Sequence, residues 1–209
     1  MTRLVIARHG NTFAPGDIVT RVGGRTDLPL VASGRAQGEA LGRHFAALGI
    51  SFAAAFCSPL ARTRQSAELI LAQTGNDIEP ASEAFLTEID YGPDENRPED
   101  EVRARLGEAA LLAWDGAGEV PEGWLVDPPA LVAAWAAFFA RIAAGYPDAD
   151  VLVVTSNGIA RFALAACAGA AAAAPLKLRT GAYGEIQVSP GGGARLVNWD
   201  IRPAPAPGA

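Results

Sequence analysis

Apolar and polar residues alternate along the chain in blocks that predict a regular succession of strands and helices. Leu4-Val5-Ile6-Ala7 is an unbroken apolar run of the kind that marks a strand buried on both faces, and Gly10 ends it. Residues 33–48 read SGRAQGEALGRHFAAL, with Ser33 placed to cap a helix and Leu41, Phe45 and Leu48 spaced along one stripe despite three glycines. A second apolar run, 52–57, leads into Ser58-Pro59-Leu60, where Ser at the cap and Pro at the first helical position start a helix running to about Gln73. Residues 131–144 are amphipathic and helical. Val151-Leu152-Val153-Val154 is a third buried strand, and another helix follows from Ile159. Strands over 185–189 and 195–199 close the chain before a tail, PAPAPGA, whose composition predicts disorder over 201–209.

Between about residues 88 and 130 the pattern changes. Acids, prolines and glycine-containing turns surround one helix-like piece over 99–114, which reads as a cap-like insertion over a site. Strands alternating with helices imply an α/β fold: a three-layer α/β/α sandwich around a mainly parallel sheet, one domain over 1–200 that carries the insertion.

Composition narrows the function. Net charge is -6 and the pI near 4.9, which argues against a broad basic surface for nucleic acid or an anionic membrane. Any anion must therefore meet a local cluster. Lys177 is the only lysine among 17 basic residues, and arginine suits bidentate phosphate contacts, although such a bias also follows from base composition. Cys57 and Cys167 lie in apolar stretches without zinc or dithiol spacing and read as buried free thiols of a reducing compartment. No signal-peptide pattern stands at the N-terminus, and no stretch is expected to approach the ~18 uninterrupted apolar residues of a membrane span, so a cytoplasmic location is expected.

The chemistry gathers at strand ends. In open α/β sheets, ligands bind beyond the carboxyl ends of the strands, where helix N-termini present free N–H groups. Arg8-His9-Gly10, the segment from Ser58 to Arg62, and Thr155-Ser156-Asn157-Gly158 each fall at such an end. Gly10 allows close backbone approach, Arg8 and Arg62 offer planar forks matched to phosphate oxygens, and a neutral His9 beside them can attack phosphorus. No grouping suggests a metal or an organic cofactor.

Four motifs in this order resemble the histidine phosphatase superfamily, the group that includes cofactor-dependent phosphoglycerate mutases: RHGNT at 8–12, TDLPLVASGRAQ at 26–37, SPLARTRQSA at 58–67 and LTEIDYG at 86–92. The resemblance runs from Arg3 to about Asn198. It implies that His9 is the transiently phosphorylated histidine, that Arg8 and Arg62 bind phosphate, and that Glu88 protonates the leaving oxygen and then assists water. Such a carboxylate needs a raised pKa and hence shielding by the insertion. Asp90 competes for the role, and Asn11 stands where many relatives carry Glu and could donate to phosphate.

One departure matters. The family's second histidine, in a V-V-S-H-G-G-like pattern, aligns with Ser156 of VVTSNG. A hydroxyl donates one hydrogen bond without charge, and losing one such donor typically costs on the order of 3 kcal/mol, or ~10²-fold in rate. Asn157 or an extra arginine could partly compensate. His44, the only other histidine, falls mid-helix and reads as a packing or surface residue. Arg21, Arg25 and Arg64 read as surface or outlying residues. Tyr91, Asp94, Glu95, Arg97 and Trp124 are expected to wall the leaving-group side, whose acids speak against a highly anionic sugar bisphosphate. The resulting expectation is a phosphatase acting on a small phosphorylated metabolite. A phospho-ligand binding protein impaired in turnover and a mutase-type phosphoryl transferase are the alternatives, and a homodimer is left open.

Overall fold

A computed structural model of the chain describes residues 1–75, 77–168 and 176–203. Six strands, β1 (Thr2–Arg8), β2 (Phe52–Cys57), β3 (Ala81–Ser82), β4 (Asp150–Thr155), β5 (Tyr183–Val188) and β6 (Ala194–Ile201), form one sheet in the order β3-β2-β4-β1-β5-β6. The pairings β3/β2, β2/β4 and β4/β1 are parallel; β1/β5 and β5/β6 are antiparallel, because the closing hairpin adds to the free edge of β1. The sheet is thus mixed, with its parallel part around β4.

The continuous apolar runs have the expected cause. Leu4 and Ile6 of β1 enter one core and Val5 and Ala7 the other, following the two-residue period of a strand, and β4 divides Val151 and Val153 from Leu152 and Val154 in the same way. Helices α1 (Ala32–Ala47) and α2 (Ala61–Thr74) cover one face, with Leu41, Phe45, Ile70 and Leu71 buried. Helices α5 (Pro128–Gly145) and α6 (Asn157–Ala165) cover the other, with Trp135, Phe138, Phe139 and Ile142 at its centre. The helices that follow the adjacent strands β1 and β4 therefore leave toward opposite faces. That divergence opens a crevice at the strand ends.

Several boundaries differ from the sequence reading. Ser33 lies inside α1, whose cap is Val31 with no side-chain bond, and Leu48 ends the helix exposed to solvent. The glycines of α1 serve packing: a Cβ on Gly42 would stand 2.7 Å from the Ile70 carbonyl oxygen of α2. Ser58 precedes rather than caps α2, its Oγ accepting from Leu60 N at 3.3 Å and pairing with the Thr63 hydroxyl at 2.6 Å. The expected single helix over 99–114 is two, α3 (Glu99–Leu106) and α4 (Glu108–Ala117), divided at Gly107, whose φ of 79° lies outside the range of a right-handed helix. Asp127 caps α5 by accepting from Ala130 N, so that helix begins earlier than expected.

With 18 residues and a mean hydropathy of 1.3, α5 is long and apolar enough to cross a membrane, contrary to the expectation that no stretch approaches that length. Its large side chains fill the core, which accounts for the composition, and Trp135 Nε1 donates to Ile159 O at 3.0 Å. At the C-terminus β6 continues through Ile201, paired with Tyr183, so the expected tail starts later; 204–209 lie outside the described residues. Cys57 and Cys167 are buried and unpaired, and burial pushes both thiols up to about 11.

Candidate active site

The register of the two central strands brings the first two segments together. Arg8 lies opposite Thr155, and His9 N donates to Thr155 O at 3.1 Å, so the turns after β1 and β4 start side by side. His9 is buried, with Nδ1 2.7 Å from the Gly10 carbonyl oxygen. A carbonyl only accepts, so Nδ1 carries the proton and the lone pair sits on Nε2. Burial, then Arg8 and Arg62, hold the imidazole pKa well below the ordinary histidine range, which keeps the ring neutral and nucleophilic.

Both arginines are buried or nearly so, and both are positioned by main-chain oxygens. Arg8 Nη1 donates to Leu178 O at 3.0 Å; Arg62 donates to Thr26 O at 2.8 Å and Gly23 O at 3.1 Å. The Nε of each has no hydrogen-bond partner among the described residues. Desolvation lowers both guanidinium pKa values and Glu88 opposes it. Arginine nevertheless stays protonated at any working pH. The loop that receives Arg62 is itself held by Glu95, whose carboxylate accepts from Gly23 N at 3.0 Å, Arg25 N at 3.2 Å, the Thr26 hydroxyl at 2.7 Å and Tyr91 N at 3.2 Å.

Glu88 follows a 3-10 turn, Ala84–Leu86, tied to β4 by the Thr155 hydroxyl donating to Leu86 O at 2.7 Å. Its carboxylate is buried, accepting from Ile89 N at 3.0 Å and, at the N-terminus of α6, from Gly158 N at 3.2 Å. A Cβ on Gly158 would fall 2.3 Å from Glu88 Oε1, so glycine is needed at that position for the carboxylate to approach the helix end. Asp90, the competing acid, is turned away: it pairs with Arg25 at 3.0 Å and accepts from Gly92 N.

Arg8, His9, Arg62, Glu88, Asn11 and Asn157 all line one cavity of about 840 Å³. Asn11 gives its backbone N–H to Gln37 and its side-chain amide to Ser33 at 3.3 Å; Asn157 Oδ1 accepts from Leu178 N at 2.8 Å. Ser156 is fully buried at the cap of α6, and its hydroxyl has no partner among the described residues. Gly10 makes a close approach, but to α1: a Cβ there would stand 2.2 Å from Gly34 O, while its N–H donates to Ser66 Oγ. His44 stays on α1, 2.9 Å from the Tyr183 hydroxyl.

Of the five residues expected to wall the leaving-group side, only Tyr91 lines the cavity. Asp94 instead pairs with Arg105 and accepts from Trp124 Nε1 at 2.7 Å, Glu95 holds the 23–26 loop, and Arg97 is exposed near Glu101. Trp114, one of four tryptophans that the sequence offers as pocket-lining, does line the cavity; the sequence reading missed Arg21 and the α3–α4 residues Arg103, Glu108, Leu111 and Leu112, all on the cavity wall. It also missed Arg161, buried on α6 with its guanidinium 3.9 Å from the centre of the Trp114 ring and Nη1 donating to Trp114 O. A lone charge in the apolar stretch IARFAL was the available signal.

The model of the histidine phosphatase superfamily (branch 1) matches residues 4–201. The chain belongs to that superfamily. Members of the histidine phosphatase superfamily similar to it include a 2,3-bisphosphoglycerate-dependent phosphoglycerate mutase of Rhizobium etli, 36% identical over 115 residues, or 54% of each protein. The chain thus spans about half the length of the curated relatives it matches. Fold neighbours include a mycobacterial glucosyl-3-phosphoglycerate phosphatase in complex with VO3 (TM-score 0.77, 22% identity, 95% of this chain and 98% of that one). The alpha-ribazole phosphatase from Shigella flexneri is another (TM-score 0.72, 23% identity, 98% and 99%).

Proposed function

We propose that the protein is a phosphate monoester hydrolase working through a phosphohistidine on His9, with a small phosphorylated metabolite as substrate. The phosphoryl group docks between Arg8 and Arg62. The Nε2 lone pair attacks phosphorus as the bond to the leaving oxygen breaks, and Glu88 in its protonated form supplies the proton that oxygen needs. Water then attacks the phosphohistidine, its proton passes to Glu88, and inorganic phosphate leaves with His9 regenerated. The arginine charges offset the build-up on the transferring group. The observation that carries this reading is the tautomer: Nδ1 is fixed on the Gly10 carbonyl, leaving Nε2 as the free base.

Rapid-quench kinetics with an aryl phosphate test it. An acid-labile phosphoenzyme should accumulate in the wild type, vanish in His9→Ala, and form slowly in Glu88→Gln. An unaltered rate in His9→Ala would sink the mechanism. A second reading draws on Ser156, a neutral residue where the resemblance expects an imidazole: a phospho-ligand binding protein without turnover. Vanadate binding by a wild type that releases no phosphate would favour it.

A further inference from the structure

The cavity is far larger than a phosphoryl group, and its outer part, formed by residues 12–22 and by α3 and α4, has a composition of its own. Every cation there faces an acid. Arg21 pairs with Glu99 at 2.6 Å, Arg103 pairs with Glu108, and Lys177 stands 3.9 Å from Asp115. Asp115 also stands 3.9 Å from Arg161, which does not line the cavity; among the described residues that do line its outer part, three positive and three negative side chains leave no cation without an acid beside it. Between them Phe13, Val19, Leu111 and Leu112 line the same space from two separate segments. Val19 and Leu112 are 50% and 61% exposed, so these apolar surfaces face the cavity without protein cover. Single exposed leucines are ordinary on protein surfaces; converging ones that line a cavity mark a binding surface.

We propose that this outer half is a leaving-group subsite for an uncharged aromatic or alkyl moiety, which disfavours phosphate esters carrying a carboxylate or a second phosphate. The inference rests on the phosphoryl group docking at Arg8 and Arg62. With the phosphate held there, the leaving group has to extend outward past Tyr91 and Trp114, which also line the cavity. An aryl or alkyl group would cover Leu112 and Val19. A carboxylate would have to break one of three existing ion pairs to find a partner.

Titration calorimetry on the wild-type protein tests this with phosphonates, whose C–P bond is not hydrolysed, so binding is read apart from turnover. Benzylphosphonate should bind about 10-fold or more tighter than 3-phosphonopropionate, the difference expected for an apolar contact of this size. Leu112→Asn should narrow the gap between benzylphosphonate and inorganic phosphate, and Glu108→Gln, by freeing Arg103, should improve binding of 3-phosphonopropionate. Equal or tighter binding of the carboxylate-bearing ligand overturns the subsite, as does a Leu112→Asn variant that keeps the full gap. If the ranking holds while no monoester is turned over, the hydrolase reading fails and the subsite stands. If none of the three ligands binds, the subsite and the phosphate end fall together.

Discussion

At the inner end of the cavity Arg8 and Arg62 donate to the carbonyls of Leu178, Thr26 and Gly23, whereas at the outer end Arg21, Arg103 and Lys177 face Glu99, Glu108 and Asp115. A carbonyl orients a guanidinium without cancelling its charge, and a carboxylate does both. The same residue type is therefore left with its charge unpaired in one place, where the proposed phosphoryl group docks, and is part of an ion-paired wall in the other, and the kind of acceptor behind it decides which. Placing two cations in a buried site with no directly paired acid among the described residues is costly, and the field of Glu88 offsets only part of that cost. A dianionic ligand offsets that cost.

The largest effect expected from disturbing the inner end is that of removing the proposed nucleophile. His9→Ala should lower kcat by at least about 10⁴-fold, the scale seen when a covalent nucleophile is deleted, with an unchanged circular dichroism spectrum. The contrast between the two ends is tested next by one substitution at each. Arg62→Met should cost about 10²- to 10³-fold in kcat/KM for an aryl phosphate, as for loss of a charged transition-state donor. Arg103→Met should cost less than about threefold, because its charge is already answered by Glu108 at the surface. Comparable losses at the two positions would erase the distinction.

How much of this could be read without a structure depended on distance along the chain. His9, Arg8 and Arg62 each sit next to a local signal, a strand end or a helix start, whereas Glu88 is implied only by the resemblance that its L-x-E carries, and all four line the cavity. The buried runs of β1 and β4 were equally legible, since burial on both faces leaves continuous apolar sequence. Residues whose role is set by a distant partner were not. Asp94 and Glu95 read as wall acids, yet one serves Arg105 and Trp124 and the other a loop some 70 positions earlier. Leu112 resembles any surface leucine until Val19 is seen on the same cavity.

Glu95 offers a subtler test of the inner end. It touches no part of the proposed phosphate position, yet it fixes the loop whose carbonyls hold Arg62. Glu95→Gln keeps the shape but weakens four bonds and sets an amide N–H₂ against one or more donors. A loss of about 10-fold in kcat/KM is expected, the scale of one to two kcal/mol for a disturbed buried acceptor. If the effect travels through Arg62, Glu95→Gln should add almost nothing in an Arg62→Met background. Additive losses in that double-mutant cycle would mean that Glu95 acts by another route.

The smallest effect is a pH dependence, and it follows from the burial of His9 first and from the two arginine charges second. With the His9 pKa held well below 6.5 by burial, Arg8 and Arg62, the ring stays neutral where an ordinary histidine would be half protonated. The fraction of reactive His9 should therefore change by much less than twofold between pH 7.5 and 6.5, as read from its ring nitrogens by NMR. Arg62→Met, by removing one of the depressing charges, should move the titration upward. Stability has the matching sign. Below about pH 6.5 the unfolded chain binds a proton at this position that the folded protein refuses, so stability falls as pH drops through that window and is full above it. His9→Ala should flatten that part of the profile in urea titrations at pH 5.5 and 7.5. A His9 titration that does not move in Arg62→Met would show that this guanidinium charge does not reach the ring, and the contrast between the two ends of the cavity would not hold.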